Sequence, residues 1–589
     1  MVDGETKKTF PVKAWVDEKI LAEGLKMKPE LIGSIDNGTS STRFLLFTPQ
    51  GKIGASAQVE YTQYFPSGED KSGWHEHDPV EIWESVVTCI QAVLKELEKA
   101  KIKDRPIAAI GITNQRETTI AWDADTGVPY YNAIVWDDLR TTGIADEIAQ
   151  GNADRFRGKT GLPLASYFAG TKVKWLVDNV PQLRQDLRDR EKSSSVRFGT
   201  VDSWLLYQLT GTKSRAQGAA NFNGMFATDV SNASRWLFLD LKTVQWDQGL
   251  VDAICSPHKV PLSALPTIMP SSHHYGVCQS ISEIQGVPLT AILGDQQAAL
   301  FGQCAFDAGK AKCTYGTGLF LMKNTGTRQV ASTHGMLTTV AYQIGQKGKV
   351  YYALEGSVSH SGSTIQWLRD KLNIIQSAPE SESLAKGTQS NEGLYLVPAF
   401  AGLFAPHWRS DARACIVGMT ASHHKGHICR AALEAACYQA REVFEAIVAD
   451  SPFDLKSLSV DGGATENRLM MQFQSDMLDL TVIRPEVGET TALGAAFAAG
   501  LAVGVWKDLE ELNKLRAIKE KFQPSMDARV REKNWQGWQK AVSRSLGWID
   551  SDAVEDTTER AGSLAEMAPY VALTGLALGV GFLLGQRNK

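Results

Sequence analysis

Leu31-Ile32-Gly33-Ser34-Ile35-Asp36-Asn37-Gly38-Thr39-Ser40-Ser41-Thr42-Arg43-Phe44-Leu45-Leu46-Phe47 is the stretch on which the reading of this chain turns. Two apolar runs flank a short polar turn, which is the grammar of a hairpin. Its glycine and small hydroxyl residues let backbone amides approach an anion with no bulky side chain between. Asp36, at the end of the first run, faces that anion. A carboxylate beside phosphates is repulsive unless a divalent cation lies between them, so the turn points to a nucleoside triphosphate with Mg2+. Taken alone, the same residues also make an ordinary hairpin turn.

Two later segments extend the pattern. Lys312-Cys313-Thr314-Tyr315-Gly316-Thr317-Gly318-Leu319-Phe320-Leu321-Met322 repeats the plan of a small turn between apolar strands, and Leu458-Ser459-Val460-Asp461-Gly462-Gly463-Ala464 ends a strand in Asp-Gly-Gly. Together they predict two related halves, each with a phosphate-binding hairpin, and a third loop offering a side-chain-free surface to a nucleoside. This resembles the actin, hexokinase and sugar-kinase superfamily, an α/β, two-lobed, ribonuclease H-like ATPase fold. A Gly-x-x-x-x-Gly-Lys-Ser/Thr loop and the His-Arg-Asp set of protein kinases do not occur, which disfavours those phosphoryl-transfer designs.

The 589 residues are too many for one core and predict two large domains. A net charge of -5 speaks against a nucleic-acid partner. The eight cysteines have no Cys-x-x-Cys spacing and read as reduced core residues. His75, His77, His423 and His424 lack metal-ligand spacing and read as solvated loop or helix-end residues. Asp78-Pro79-Val80-Glu81 opens a helix with Asp as cap, Pro in the first position and Glu as reciprocal partner, and Trp83, Val87, Ile90 and Leu94 follow as its core face. Gly494 to Gly504 is a small-residue helix suited to close packing on a sheet.

The termini differ. Charged residues interrupt the first 28 or so positions, excluding a secretory signal. From Met567 to Leu584 no charge occurs, and as a helix this run spans about 27 Å, close to the ~30 Å hydrocarbon thickness of a bilayer. The organisation expected is an N-terminal extension (1–29), two kinase domains (30–305 and 306–549), an acidic linker (550–566) and a single transmembrane tail anchor (567–585). Two Gly-x-x-x-Gly spacings, at Gly575/Gly579 and Gly581/Gly585, suit close helix packing. Modest hydrophobicity with Arg587 and Lys589 beyond it resembles mitochondrial outer-membrane tail anchors, and the expectation is an anchor there with the catalytic lobes facing the cytosol. The endoplasmic reticulum membrane or the cytoplasm are alternatives, as is a helix buried in the protein or in a homo-oligomer contact.

Candidate site residues follow strand ends, where open α/β sheets bind ligands. Arg116 and Glu117 lie in Asn114–Thr119, the segment directly after the strand Ile107–Thr113. An adjacent base and acid can donate to one hydroxyl and accept from its neighbour, which suits a small polyol, although a surface ion pair has the same appearance. Asp295 and Gln296 come after Leu289–Leu293, at a strand-to-helix turn. Asp295 is there placed to take a proton from an attacking hydroxyl and Gln296 to orient it, while helix capping is the plain alternative. Trp136, Tyr167 and Phe320 can wall a pocket or simply be core.

From Leu31 to Trp548 these motifs resemble the FGGY carbohydrate kinase family, and Gly111–Thr119, Asn132–Trp136 and Gly294–Gln303 resemble its glycerol-specific branch. The resemblance implies transfer of the ATP γ-phosphoryl group to glycerol, giving sn-glycerol 3-phosphate. It assigns Arg116, Glu117, Trp136, Tyr167, Asp295, Gln296 and Phe320 to glycerol, with Asp295 as base. It also assigns Thr39, Ser40, Ser41 and Arg43 to phosphate, Asp36 to Mg2+, and Thr317, Gly362, Gln366, Gly463 and Asn467 to the nucleotide. The chain departs from the family pattern at Asn37 and Ser40, in an insertion near 213–226, and at Cys278–Gly286, which replaces a basic regulatory loop.

Overall fold

The computed structural model of the chain describes residues 10–24, 30–68, 71–102, 106–212 and 222–549. Its first half contains β1 (Lys13–Val16), β2 (Leu31–Asn37), β3 (Ser41–Phe47), β4 (Ile53–Glu60), α1 (Pro79–Lys99), β5 (Ile107–Asn114), β6 (Ser272–Val277), β7 (Pro288–Gly294) and α2 (Asp295–Gly302). The strands form a seven-stranded sheet in the order β1-β4-β3-β2-β5-β7-β6. The second half contains β8 (Ala311–Tyr315), β9 (Leu319–Gly326), β10 (Leu337–Gln343), β11 (Val350–Val358), α3 (Gly362–Asp370), α4 (Lys425–Asp450), β12 (Ser457–Asp461), β13 (Thr481–Pro485), α5 (Thr490–Ala502), β14 (Ile518–Phe522) and α6 (Ala528–Ser545). Its sheet also has seven strands, in the order β10-β11-β9-β8-β12-β13-β14. In each sheet an antiparallel hairpin, β2–β3 or β8–β9, has a parallel strand, β5 or β12, beside its first strand. The two hairpins predicted from sequence therefore occupy equivalent places.

Every residue of β2 is buried. Leu31 and Ile35 join one core and Ile32 another, so the strand is covered on both faces. Helix α1 covers one face and α5, from the other half of the chain, covers the second. The small residues of α5 make this possible: a Cβ on Gly111 would lie 2.3 Å from the Ala495 carbonyl oxygen, so helix backbone rests on β5. The same helix crosses α2 with no side chain between, since a Cβ on Gly494 would lie 1.8 Å from the Ala298 oxygen. In turn α2 contacts β8, β9 and β10 of the second sheet. Two helices thus lie between the sheets, each reaching across to the sheet of the other half.

Several expectations need correction. The buried stripe of α1 is Ile82, Val86, Cys89, Ile90, Val93 and Leu97, one residue out of phase with three of the four positions expected. Trp83, Val87 and Leu94 are partly buried at its edge. Asp78 does cap the helix, accepting from Val80 N at 2.8 Å. Glu81 does not close the capping box, because its Oε1 accepts from the backbone and hydroxyl of Thr62 instead. His75 and His77 are buried rather than solvated. Nδ1 of His75 lies 2.7 Å from Asp137 Oδ1, and Nε2 of His77 lies 2.8 Å from Gln63 Oε1. His424 is a helix-end residue, accepting from Gly426 N at the start of α4. All eight cysteines are free, and all but Cys415 are buried. Part of the N-terminal extension is β1, the edge strand paired with β4. Among the described residues no helix is long and apolar enough to cross a membrane, and the stretches 550–566 and 567–585 lie outside them.

Candidate active site

The turn of the β2–β3 hairpin is closed by Gly38 N donating to the Ser41 carbonyl at 3.0 Å. It is braced from behind by Tyr61, whose hydroxyl donates to the Gly38 carbonyl, and by Gln115, whose Nε2 donates to the Tyr61 hydroxyl at 2.9 Å. Asp36 and Arg43 are register partners at the end of the pair. Arg43 Nη1 makes a 2.7 Å bond to Glu489, just before α5, and stands 3.9 Å from Asp36. Burial pushes the Asp36 carboxyl up to about 7, with Arg43 opposing that shift and Glu489 and Asp295 adding to it. The Ser41 hydroxyl accepts from Gln58 Nε2 at 3.0 Å. Thr39 leans the other way, accepting from the Trp136 indole at 2.9 Å.

A cavity of about 130 Å³ opens beside this hairpin, lined by Thr39, Arg116, Glu117, Trp136, Tyr167, Asp295, Gln296, Thr314, Gly316, Thr317, Gly318 and Phe320. All seven residues assigned to the acceptor border it. Trp136 stands edge-on to Tyr167 and Phe320, with ring centroids 5.8 and 5.9 Å apart. The polar side comes from two strand ends: Arg116 and Glu117 follow β5, and Asp295 opens α2 directly after β7. Gly294 occupies the cap position of α2 and Asp295 is its first helical residue, with one carboxylate oxygen on a first-turn amide. Its Oδ1 accepts from Gln296 N at 2.7 Å and stands 3.0 Å from Arg116 Nε.

Nor are Arg116 and Glu117 a surface pair. Both are buried, and each has its own partner. Arg116 makes a two-pronged contact with Glu355 of β11, with Nη1 and Nη2 each 2.7 Å from a carboxylate oxygen. Glu117 accepts from Arg235 Nε at 2.5 Å, and Arg235 reaches Glu355 at 3.4 and 3.5 Å. Burial pushes the Glu355 carboxyl up, but the guanidinium groups of Arg116 and Arg235 outweigh it and bring it down to about 2. Glu117 holds a left-handed backbone with φ 59°, a conformation a non-glycine residue adopts only when its surroundings impose it. Behind Gln296, the buried Lys312 ammonium donates to the Gln296 side-chain oxygen and, at 2.7 Å, to Thr314 Oγ1.

A second cavity, of about 330 Å³, adjoins the first and shares Gly316 and Thr317 with it. Thr317, Gly362, Gln366, Gly463 and Asn467, the five residues assigned to the nucleotide, all line it. The Asp-Gly-Gly turn reaches it from β12. Gly462 has φ 91° and would bring a Cβ within 2.5 Å of the Tyr315 backbone, whereas Gly463 has open space before it. Asp461 is a tie, accepting from Thr314 Oγ1 at 2.5 Å and from Gln303 Nε2 at 2.9 Å. The geometry is thus a large cavity adjoining a small one with a polar and an aromatic side, the two sharing Gly316 and Thr317, with the anion-ready β2–β3 hairpin bordering the smaller at Thr39.

Residues 31–302 match the N-terminal domain of the FGGY family of carbohydrate kinases, and residues 311–503 match its C-terminal domain. The chain belongs to the FGGY family of carbohydrate kinases. A glycerol kinase of Leifsonia xyli subsp. xyli is 49% identical over 524 residues, covering 89% of this chain and 99% of that protein. A glycerol kinase of Brucella anthropi is 48% identical over 522 residues, covering 88% and 100%. Among solved structures, Plasmodium falciparum glycerol kinase with ADP superposes with a TM-score of 0.75 at 37% identity, covering 88% of this chain and 99% of that one.

In this FGGY chain sequence reading misses Arg235 and Glu355 behind the walls, and it misses the bracing roles of Lys312 and Asp461 although both stand in the quoted motifs. Two of them carry a signal. Glu355 and Lys312 are charges inside apolar strands, where an ionic group persists only when paired.

Proposed function

We propose that the chain transfers the γ-phosphoryl group of ATP to a terminal hydroxyl of glycerol, giving sn-glycerol 3-phosphate. The observation that carries this reading is the small cavity, about 130 Å³, in which Arg116, Glu117, Asp295 and Gln296 face the apolar wall of Trp136, Tyr167 and Phe320. A three-carbon polyol presents the matching surface, with hydroxyls along one edge and carbon along the other. The larger cavity and its glycine turns suit the nucleoside, and the glycerol kinase relatives, aligned over nearly their whole length, support the assignment.

Asp295 Oδ2 takes the proton of the attacking hydroxyl, Oδ1 being held by Gln296 N and Arg116. Thr39, Ser40, Ser41 and the hairpin amides receive the phosphates. Asp36 fits Mg2+: it is a buried carboxylate whose nearest cation, Arg43, is 3.9 Å away and committed to Glu489. A Mg2+ ion held there would supply neutralisation of the phosphate charge. Residues 567–585 anchor this enzyme to a membrane, the mitochondrial outer membrane being favoured; an uncharged run of spanning length behind an acidic linker supports that reading.

The test is ATP consumption by the purified protein with glycerol, xylulose, erythritol or no acceptor. Glycerol-dependent turnover well above the other three is expected, and turnover that follows xylulose instead refutes the assignment.

A further inference from the structure

The acceptor cavity is bordered by Arg116 and Glu117; Arg116 is held directly from the other half of the chain, and Glu117 only indirectly, through Arg235. Arg116 follows β5 in the first sheet. The carboxylate that fixes its plane, Glu355, lies on β11 in the second. Gln296, at the start of α2, is held in the same way by Lys312 of β8. None of Glu355, Arg235 and Lys312 borders the cavity, and all three are fully buried.

Counting donors shows what the pairing achieves. A guanidinium has five N–H groups. In Arg116 the Nε group faces Asp295, the Nη1 pair faces Glu355 and Gln297, and one Nη2 group faces Glu355. One N–H on Nη2 is left. Glu117 has the complementary surplus, because Arg235 occupies Oε1 and leaves Oε2 to accept. Two adjacent residues that border the cavity thus keep one donor and one acceptor uncommitted, which is what a pair of neighbouring hydroxyls requires.

We propose that Glu355 and Arg235 are the positioning residues that set acceptor affinity and selectivity, and that the second half of the chain, through Glu355, completes the polyol site built on the first. This rests on the acceptor reading given above. Without the Glu355 charge, Arg116 loses its two-pronged hold and gains free donors. The site then ceases to present one donor in one place.

The test is steady-state kinetics of the full chain and of Glu355→Gln and Arg235→Lys, with glycerol, erythritol and ATP each varied. A purely structural defect lowers the fraction of active enzyme and so lowers kcat without moving KM. The expected result is different: KM for glycerol rises at least about tenfold, KM for ATP stays within about twofold, and the preference for glycerol over erythritol falls. If Glu355→Gln does not accumulate as folded protein, Arg235→Lys, which keeps the charge and loses the fork, carries the test. An unmoved glycerol KM in every variant that folds, with the unmodified chain active on glycerol, overturns this inference alone. No glycerol-dependent turnover by the unmodified chain overturns the functional reading and this inference with it.

Discussion

Arg116 Nε stands 3.0 Å from Asp295 Oδ1, and Gln296 N holds the same oxygen at 2.7 Å. One carboxylate oxygen is anchored, which leaves the other for the role of base proposed above. Asp295→Asn keeps the shape and both anchors but removes the base. Turnover is expected to fall by roughly 100- to 10,000-fold with ADP binding unchanged. Near-normal kcat in a folded variant would take Asp295 out of the mechanism.

Arg116→Ala removes the nearer of the two counter-charges of a fully buried Glu355, leaving Arg235 at 3.4 Å, as well as a proposed substrate donor. Breaking one side of a buried pair costs about 3–5 kcal/mol, so thermal stability should drop measurably. Glycerol use should weaken by roughly 10- to 100-fold while nucleotide affinity is largely kept. Calorimetry together with glycerol and ADP titrations checks both halves, and equal loss of the two affinities means that the pocket is wrongly assigned.

Two glycines of the nucleotide cavity should answer differently to added bulk. A Cβ at Gly463 meets nothing within 4 Å, while one at Gly362 lies 2.5 Å from the Gly316 carbonyl oxygen. Gly463→Val should therefore leave melting temperature nearly unchanged and raise KM for ATP. Gly362→Ala should lower stability by about 1–3 kcal/mol and disturb the wall shared by both cavities. Similar melting temperatures for the two variants would contradict this.

Glu434, buried in α4 with Arg430 3.3 Å away, gives a pH signature. Burial, opposed by Arg430, raises its carboxyl from 4.5 to about 7. A folded value above the unfolded one means that the contribution is fully present below about pH 4.5 and is lost as pH rises through about 7. Over that window the loss is roughly 3 kcal/mol. Glu434→Gln should narrow the difference in unfolding free energy between pH 5 and pH 8, measured by denaturant titration; an unchanged difference rejects the assignment.

Deleting everything after Ala561 should release active enzyme into the soluble fraction. The last described contacts, from the Trp548 and Ile549 amides to the Asp411 carbonyl at 3.1 and 3.2 Å, remain in such a chain. Insoluble or inactive truncated protein, or intact protein that stays soluble in cells, would refute the anchor.

The hairpins, the strand ends and the Asp-Gly-Gly turn were legible because each is a contiguous stretch whose chemistry is written in adjacent residues. What lay beyond the sequence is pairing at long range. Glu355 is 239 positions from Arg116, and Arg235 is 118 from Glu117. No local period records which buried charge meets which. The α1 stripe failed for another reason: Ile82 and Trp83 begin two stripes one residue apart, and only the sheet beneath selects between them. Trp83 was the larger residue, yet the shorter Ile82 faces the core.

The wall shared by the two cavities, Gly316 and Thr317, has a consequence for ligand design. Donor and acceptor compartments that meet across two small residues can be spanned by a single molecule. An adenosine joined through a phosphate chain to a three-carbon polyol would fill both at once, giving up rigid-body freedom only once instead of twice. Such a compound would act as a bisubstrate inhibitor, and the length of its phosphate bridge would serve as a ruler for the distance over which the phosphoryl group travels.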